Sequence, residues 1–402
     1  ATVALAERPL PAAVPTDQAE AVAAQLDNLL AAPLRLTAGD ESWPIAPDEL
    51  APLIRVDLAE RDGRRALVPG LDDAGLRALV DRFAAEVDAP TADAWVEEFA
   101  THNKLHVASH GRTLRGDELA AALQEAVAVG RRDVPLPIDQ GEAPAVTTEA
   151  LLADLGVTEP IAEGDSDFAG SDAARDNNVR LAAERIDGTL VPPGGVFSYN
   201  AAVGTLFDSG FLFADANIEG LGSSAEGGGV CQVSTTVFRA ALRAGLPIVE
   251  WWPHSFRSPF YEQGGWAAGF DASIVQVYGD DEAGTDFRFE NPTDGWILIR
   301  SRIEGDALRV ELRGTDPGYQ VEFDEPIREW GEGAPGPEVE VDPALAPGAV
   351  VEDLPATDAL TVTIVRRVLD AEGNEVSVDS FVSAYRPRGA LRRVGPESAE
   401  GV

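Results

Sequence analysis

The sequence predicts an α+β protein of several domains: a small repeated α+β module, a central α+β domain and a C-terminal all-β domain. Three observations predict this class. A pattern of strand, polar turn and helix occurs twice within residues 1–150; a helical pattern follows three glycines and a cysteine near the middle; and hydrophobic and polar residues alternate from Asp286 onward. A chain of 402 residues is long enough for two or three such domains.

The composition narrows the possible partners. The chain has 69 acidic against 31 basic residues, a formal net charge of −38, and such a charge repels phosphate backbones, so nucleic acid is not an expected partner. One cysteine excludes an intrachain disulfide, and no apolar run is long enough to span a bilayer. Because the sequence opens without Met or a signal peptide, we expect that an upstream targeting segment is missing and that any membrane contact is made through an N-terminal anchor.

The N-terminal region carries the internal repeat. Leu34–Ile54 and Leu105–Leu123 both contain an alternating segment, a polar turn and the letters "DEL" at the start of a helix. We interpret residues 1–20 as the tail of a preceding repeat unit and residues 21–145 as one complete α+β module. A helix is predicted over Asp72–Val87.

Three histidines in this module are spaced by four residues: His102, His106 and His110. On a helix that spacing suits a metal ion, but the segment "KLHVASHG" alternates as a strand does. On a strand, His106 and His110 lie about 13 Å apart, which is too far to share an ion. We therefore predict no metal site.

The rest of the chain divides at changes in composition. Residues 146–167, rich in Pro, Gly and acidic residues, are predicted to be a linker with a short helix. A helix capped by Ser171 or Asp172 follows, with Val179, Ala182 and Ile186 on its buried face. The central domain is predicted over residues 168–305, a β-rich domain over 317–396 and a frayed tail over 397–402.

The pattern around Cys231 predicts a reactive thiol. The cysteine follows Gly227, Gly228 and Gly229 and begins a helical pattern, and the positive end of a helix dipole favours a thiolate. A cysteine nucleophile needs a base, and His254 is the only histidine outside the N-terminal module. Asp271 is the preferred orienting group, because Glu250 lies about 13 Å from His254 along an extended chain.

Several motifs resemble the VanW domain. They are "PPGGVFSYNAAVG" (192–204), "GGGVCQVSTTVFRAALRAGLPIVE" (227–250), "PHS" (253–255), "GFDASI" (269–274) and "DFRFEN" (286–291). The module ahead of them resembles a peptidoglycan-binding domain that often precedes VanW. The last domain is similar to a G5-type β module.

The resemblance implies an activity. Some VanW-domain proteins are L,D-transpeptidases of the bacterial cell wall that use the cysteine as nucleophile. Cys231 and His254 match the family's cysteine and histidine, which implies an acyltransferase that forms 3-3 peptidoglycan cross-links through a thioester and needs no cofactor. The implied location is extracytoplasmic, and the implied partners are peptidoglycan stem peptides and glycan. The oligomeric state is not predicted.

Alternatives remain open for both the activity and the contacts. The same residues suit a Cys–His peptidoglycan hydrolase, and a non-catalytic peptidoglycan-binding protein would use Cys231 only for packing. Arg257 suits either a substrate carboxylate or a surface ion pair, and the Ser and Thr side chains near Cys231 suit either substrate or backbone hydrogen bonds. The predicted substrate-contacting residues are Gly228, Gly229, Gln232, Ser234, Thr235, Ser255 and Arg257.

Overall fold

A computed structural model describes residues 14–61, 64–215 and 224–396. The predicted tail 397–402, and residues 1–13 of the predicted repeat remnant, lie outside the described residues. The chain forms two compact units. The first contains the described residues up to Ala94 together with Val107–Thr147, and the second contains Trp95–His106 and the described residues from Thr148 onward.

The described residues combine α-helices with mainly antiparallel strands, which confirms the predicted α+β fold class. The α-helices of the described residues are α1 Thr16–Leu29, α2 Pro47–Leu50, α3 Asp73–Val87, α4 Gly116–Val129, α5 Thr148–Asp154, α6 Ala173–Ile186, α7 Tyr199–Val203 and α8 Val230–Arg243. Two 3-10 helices occur as well, at Ala51–Leu53 and Pro259–Gly265.

The strands of the described residues have 3 to 11 residues, and the two longest lie near the C-terminus. Those of the first half are β1 Leu34–Ala38, β2 Glu41–Ile45, β3 Ile54–Arg61, β4 Arg64–Leu71, β5 Trp95–Glu98, β6 Asn103–His106, β7 Arg112–Leu114, β8 Asp133–Pro135, β9 Ile138–Gln140, β10 Glu159–Asp167, β11 Thr189–Val191 and β12 Val196–Ser198. The others are β13 Phe213–Asp215, β14 Ser224–Glu226, β15 Ile248–Glu250, β16 Val275–Val277, β17 Asp280–Thr285, β18 Arg288–Glu290, β19 Ile297–Glu304, β20 Ala307–Gly314, β21 Gln320–Phe323, β22 Ile327–Trp330, β23 Glu338–Val341, β24 Val350–Leu354, β25 Leu360–Leu369, β26 Glu375–Tyr385 and β27 Leu391–Val394.

The first unit packs α1, α3 and α4 around small sheets. The predicted helix after Asp72 is confirmed, since the Asp72 carboxylate accepts hydrogen bonds from the backbone of Ala74 and Gly75 and Leu76, Leu79 and Phe83 are buried. Both "DEL" segments lie in helices, α2 and α4. The repeat is therefore visible in the structure at the point where each helix begins.

The second unit is built on a six-stranded sheet with the order β10-β20-β19-β11-β6-β5. The sequence places the β5–β6 hairpin in the N-terminal module, but Asn103 and Lys104 pair with Leu190 and Thr189 of β11. His106, on β6, stacks on Trp95 and hydrogen-bonds to Glu97. The hairpin therefore belongs to the second unit.

The predicted linker is wrong over Glu159–Asp167, which form the edge strand β10. Its inward positions are the small residues Gly164 and Ser166, so the sequence shows no hydrophobic alternation there. The small side chains have a packing role. A Cβ at Gly164 would lie 2.1 Å from the carbonyl oxygen of Thr236 in α8, so only glycine lets this helix approach the strand.

The C-terminal β region follows the predicted all-β pattern, because no helix occurs in the described residues 315–396. It shares one hydrophobic core with the central domain: Leu360, Val362 and Ile364 of β25 belong to the same buried cluster as Val233 and Val237 of α8. The buried guanidinium of Arg366 also donates to the carbonyl of Leu246, just beyond α8. The two predicted domains are therefore packed as one compact unit.

Candidate active site

Cys231 is the second residue of α8, as the sequence predicts. The helix begins after Gly229, whose φ of +103° lies in the left-handed region that glycine favours. A Cβ at Gly229 would also lie 2.8 Å from Cγ of Arg175, so this position needs glycine for two reasons. Unpaired backbone N–H groups at a helix start stabilise a negative charge, which suits a thiolate.

The Cys231 thiol is partly exposed and lies beside the segment that follows Asp271. The backbone N–H of Ile274 donates to its sulfur at 3.5 Å. Burial acts to raise the pKa of the thiol, but the hydrogen bond and charge of His254, the N–H of Ile274 and the charge of Arg175 outweigh it. The pKa of Cys231 therefore lies below its usual value, which increases the thiolate fraction near neutral pH.

His254 follows β15 and is held by one carboxylate oxygen. Oδ2 of Asp271 accepts from the ring Nδ1 at 2.6 Å and from the backbone N–H of His254 at 2.9 Å. The ring stacks on Tyr261 with a centroid distance of 4.5 Å. Burial acts to lower the pKa of His254, but Tyr261, Asp271 and Cys231 together raise it well above the usual value.

Asp271 is 2% exposed and ionised. Burial acts to raise its pKa, but the hydrogen bonds from His254 and Tyr385 lower it below the usual value. An ionised carboxylate can only accept, so Nδ1 of His254 carries the shared proton. Nε2 is then the ring nitrogen that remains to interact with Cys231.

The cysteine helix also fixes the segment that carries Asp271. Oγ1 of Thr235 accepts from the backbone N–H of Ala272 at 3.0 Å, and Nε of Arg239 donates to the carbonyl of Phe270 at 3.0 Å. Asp271 is thus anchored to α8 on both sides in sequence. This is why residues 40 positions apart, Cys231 and Asp271, keep a fixed relation to His254.

Three predicted substrate contacts are buried inside the protein. Gln232, Ser234 and Thr235 each have 0% exposure. Gln232 accepts a hydrogen bond from Arg175 at 2.9 Å, and Thr235 holds Ala272, so both have structural partners. Direct contact of these side chains with a substrate remains a prediction.

The other predicted contacts are distributed around the site. Gly228 accepts a hydrogen bond from the Asn178 side chain at 2.9 Å, through its backbone carbonyl. Ser255 is exposed, and its carbonyl accepts from the backbone N–H of Arg386. Arg257 forms a bidentate ion pair with Glu262, so the structure shows the ion-pair alternative for this residue.

Arg175, Tyr261 and Tyr385 are not among the site residues that the sequence predicts. The buried Arg175 guanidinium bonds to Ser171 and Gln232 and lies over the Phe260 ring at 4.1 Å. No local motif marks a lone arginine or tyrosine as part of a distant site. Among the described residues, no group of three His, Cys, Asp or Glu side chains is placed to hold a metal ion.

Comparison with known proteins gives a match to one family model over part of the chain and one similar protein. The family model "VanW like protein" matches residues 174–313. The uncharacterized protein YoaR of Bacillus subtilis (strain 168) is 34% identical over 174 residues, which is 43% of this chain and 53% of YoaR. The chain thus matches about half the length of that curated relative.

Solved structures show only distant likeness. A mutant L,D-transpeptidase of Enterococcus faecium matches 34% of this chain and 50% of its own, with 14% identity and a TM-score of 0.20. The G5 domain of an IgA1 protease matches 20% of this chain and 93% of its own, with 22% identity and a TM-score of 0.12. No helix of the described residues has the length and apolar character needed to cross a membrane.

Proposed function

We propose that this chain, whose residues 174–313 match the VanW family model, acts on the bacterial cell wall as a cysteine-dependent acyltransferase of the L,D-transpeptidase type. The observation that carries the proposal is the hydrogen bond between Asp271 and Nδ1 of His254, a histidine that in turn lowers the pKa of the Cys231 thiol. A thiol at a helix start, a histidine and a buried carboxylate are the three groups that cysteine acyl transfer requires.

Asp271 and His254 prepare the nucleophile. The buried carboxylate holds the Nδ1 proton and stabilises the imidazolium, and the imidazolium stabilises the Cys231 thiolate. The raised pKa of His254 and the lowered pKa of Cys231 both favour this ion pair. Both shifts favour a resting site that holds the charged nucleophile and a proton for the leaving group.

In the first half-reaction, the Cys231 thiolate attacks the carbonyl of the third residue of a tetrapeptide stem. The C–N bond to the terminal D-Ala breaks, and its nitrogen takes the proton from His254. A thioester to Cys231 and free D-Ala result. In the second half-reaction, an amine of a neighbouring stem attacks the thioester, neutral His254 accepts the amine proton, and the thiolate leaves.

The proposed partners are peptidoglycan stem peptides and glycan, and the proposed location is outside the cytoplasm. The excess of 69 acidic over 31 basic residues disfavours anionic polymers but not uncharged glycan. Wall-binding modules on either side of the catalytic residues would raise the local concentration of substrate. The N-terminal module and the C-terminal β region are proposed to have that role.

The test is to incubate the protein with disaccharide-tetrapeptide and to identify products by mass spectrometry, beside the variant Cys231→Ala. The expected products are cross-linked dimers that lack one terminal D-Ala, together with released D-Ala. Cys231→Ala should yield neither, because no thioester can form.

Other outcomes separate the alternatives. If only tripeptide forms, without dimers, although an amine acceptor is supplied, the activity is hydrolysis and not transfer. Unchanged substrate with both proteins, combined with retained binding to cell-wall sacculi, would refute the enzyme and support a binding protein. Cys231→Ser is the matched variant, since it keeps the side-chain size but replaces the thiol by a much weaker acid.

A further inference from the structure

The C-terminal β region reaches the candidate active site through the end of β26. The hydroxyl of Tyr385, its last residue, donates a hydrogen bond to Oδ1 of Asp271. The next backbone N–H, of Arg386, donates to the carbonyl of Ser255 at 2.8 Å. Two successive residues of one strand end therefore hold the two segments that carry Asp271 and His254.

The surroundings of Tyr385 determine that its hydroxyl is the donor in the hydrogen bond to Asp271. Tyr385 is 5% exposed, and burial followed by the negative charge of Asp271 raises its pKa well above the usual value, so the phenol keeps its proton. The Gly269 backbone N–H donates to the phenol oxygen at 2.8 Å, which leaves the phenol proton for Asp271. Both carboxylate oxygens of Asp271 are then fixed, Oδ2 by His254 and Oδ1 by Tyr385.

We propose that Tyr385 is a positioning residue for the acyl transfer: it fixes the Asp271 carboxylate so that His254 keeps its ring directed towards Cys231. This inference rests on the function proposed above. The cavity beside the Tyr385–Asp271 contact is too small for a water molecule. The C-terminal β region thus completes the catalytic site in addition to any contact with the wall.

The charged and titratable groups around the site come from several elements. Those facing Cys231 and His254 are Asp271, Tyr261, Arg175 and Tyr199. Arg239 lies behind Asp271, and the Arg257–Glu262 ion pair lines the cavity beside Tyr385. None of them bonds to Oδ1 of Asp271 in the described structure, where Tyr385 is the side-chain donor. Removal of this one hydroxyl should therefore free one carboxylate oxygen and leave the other neighbours unchanged.

The experiment compares the parent protein with Tyr385→Phe by the rate of Cys231 alkylation with iodoacetamide between pH 4 and pH 10. Phenylalanine keeps the ring in the core and removes only the hydroxyl. We expect the rate profile to shift to higher pH, with alkylation about threefold slower on its acidic side, because a carboxylate that is no longer held in place supports the imidazolium less well. The control is Tyr319→Phe, whose ring lies beside Gly245 beyond the other end of α8.

A double-mutant cycle separates positioning from packing. If Tyr385 acts through Asp271, then Tyr385→Phe should have no further effect on the profile in the Asp271→Asn background. A profile identical to the parent, or an equal shift in both backgrounds, would overturn the proposal. Thermal melts of each variant report any loss of stability. A purely structural role of Tyr385 would lower the melting temperature and leave the alkylation profile unchanged.

The readout does not depend on the proposed turnover. Alkylation requires only the thiolate, so it reports on Tyr385 even if no peptide substrate reacts. If the parent protein forms no cross-links while Tyr385→Phe still shifts the alkylation profile, the proposed function alone is refuted. If the parent protein forms cross-links but the alkylation profile of Tyr385→Phe does not shift, the role of Tyr385 alone is refuted.

Discussion

Replacement of Asp271 by asparagine tests the electrostatic basis of the site. Asparagine keeps the shape of the side chain and one acceptor oxygen, but removes the charge opposite Nδ1 of His254, now 2.6 Å away. A hydrogen bond to a charged group contributes about 1.5–3 kcal/mol, against about 1 kcal/mol between neutral groups. The difference corresponds to about one pKa unit.

The sign of the effect follows from the ion pair. Without the carboxylate charge, the imidazolium is less stable and the pKa of His254 falls. The Cys231 thiolate then loses part of its positive neighbour, so the pKa of Cys231 rises. Since alkylation follows the thiolate fraction, the rate profile should shift about one unit to higher pH, which is about a tenfold loss of rate on its acidic side.

The assay is the second-order rate of iodoacetamide alkylation against pH, followed by intact mass. Circular dichroism and a thermal melt would verify that Asp271→Asn is folded. The matched control is Asp353→Asn, which removes the same charge from an ion pair with Arg393 that involves no residue of the site. A folded Asp271→Asn protein with the parent profile would refute the reasoning, because it would mean that the carboxylate does not support the His254 charge.

Two further predictions concern stability. Gly164→Ala should lower the free energy of unfolding by about 1–3 kcal/mol or more. The new Cβ would lie 2.1 Å from a backbone oxygen of α8, which no rotamer change can move. The control is Gly336→Ala, because Gly336 has open space around it. Equal urea midpoints for the two variants would contradict this. Asp379→Ala should lower the free energy of unfolding by about 1–3 kcal/mol, because it leaves the fully buried Arg366 without its carboxylate partner. The loss stays in this range because Asp379 itself is 35% exposed and water weakens the ion pair. A midpoint equal to that of the parent would show that the Arg366 bond to Leu246 is sufficient.

The C-terminal β region supports the site of the proposed enzyme at two places. Asp271 receives hydrogen bonds from His254 in the central domain and from Tyr385 in the C-terminal β region. The cysteine helix is contacted at its far end by Arg366 of the same β region. A truncation before residue 317 would therefore remove part of the support of the site, and the whole second unit is the piece to use in activity tests.

Local patterns were sufficient for the features that depend on neighbours in sequence. The glycine run predicted the start of α8 and the position of Cys231, because left-handed backbone and helix periodicity are properties of a few consecutive residues. The alternation after Asp286 predicted the β-rich C-terminal part for the same reason. An extended-chain distance was enough to prefer Asp271 over Glu250, and Glu250 in fact bonds to Trp252 and to the backbone of Asp286.

Features that depend on distant residues were decided only by the tertiary structure. The sequence determined that a thiol stands at a helix start and that one histidine is available as its base. Packing decided that Arg175 lies beside the thiol, that Tyr385 reaches Asp271 from 114 positions away, and that an acidic, glycine-containing segment becomes the edge strand β10. A lone arginine, a lone tyrosine or a strand of small residues carries no periodic pattern, and its role exists only once the buried core has fixed which segments meet.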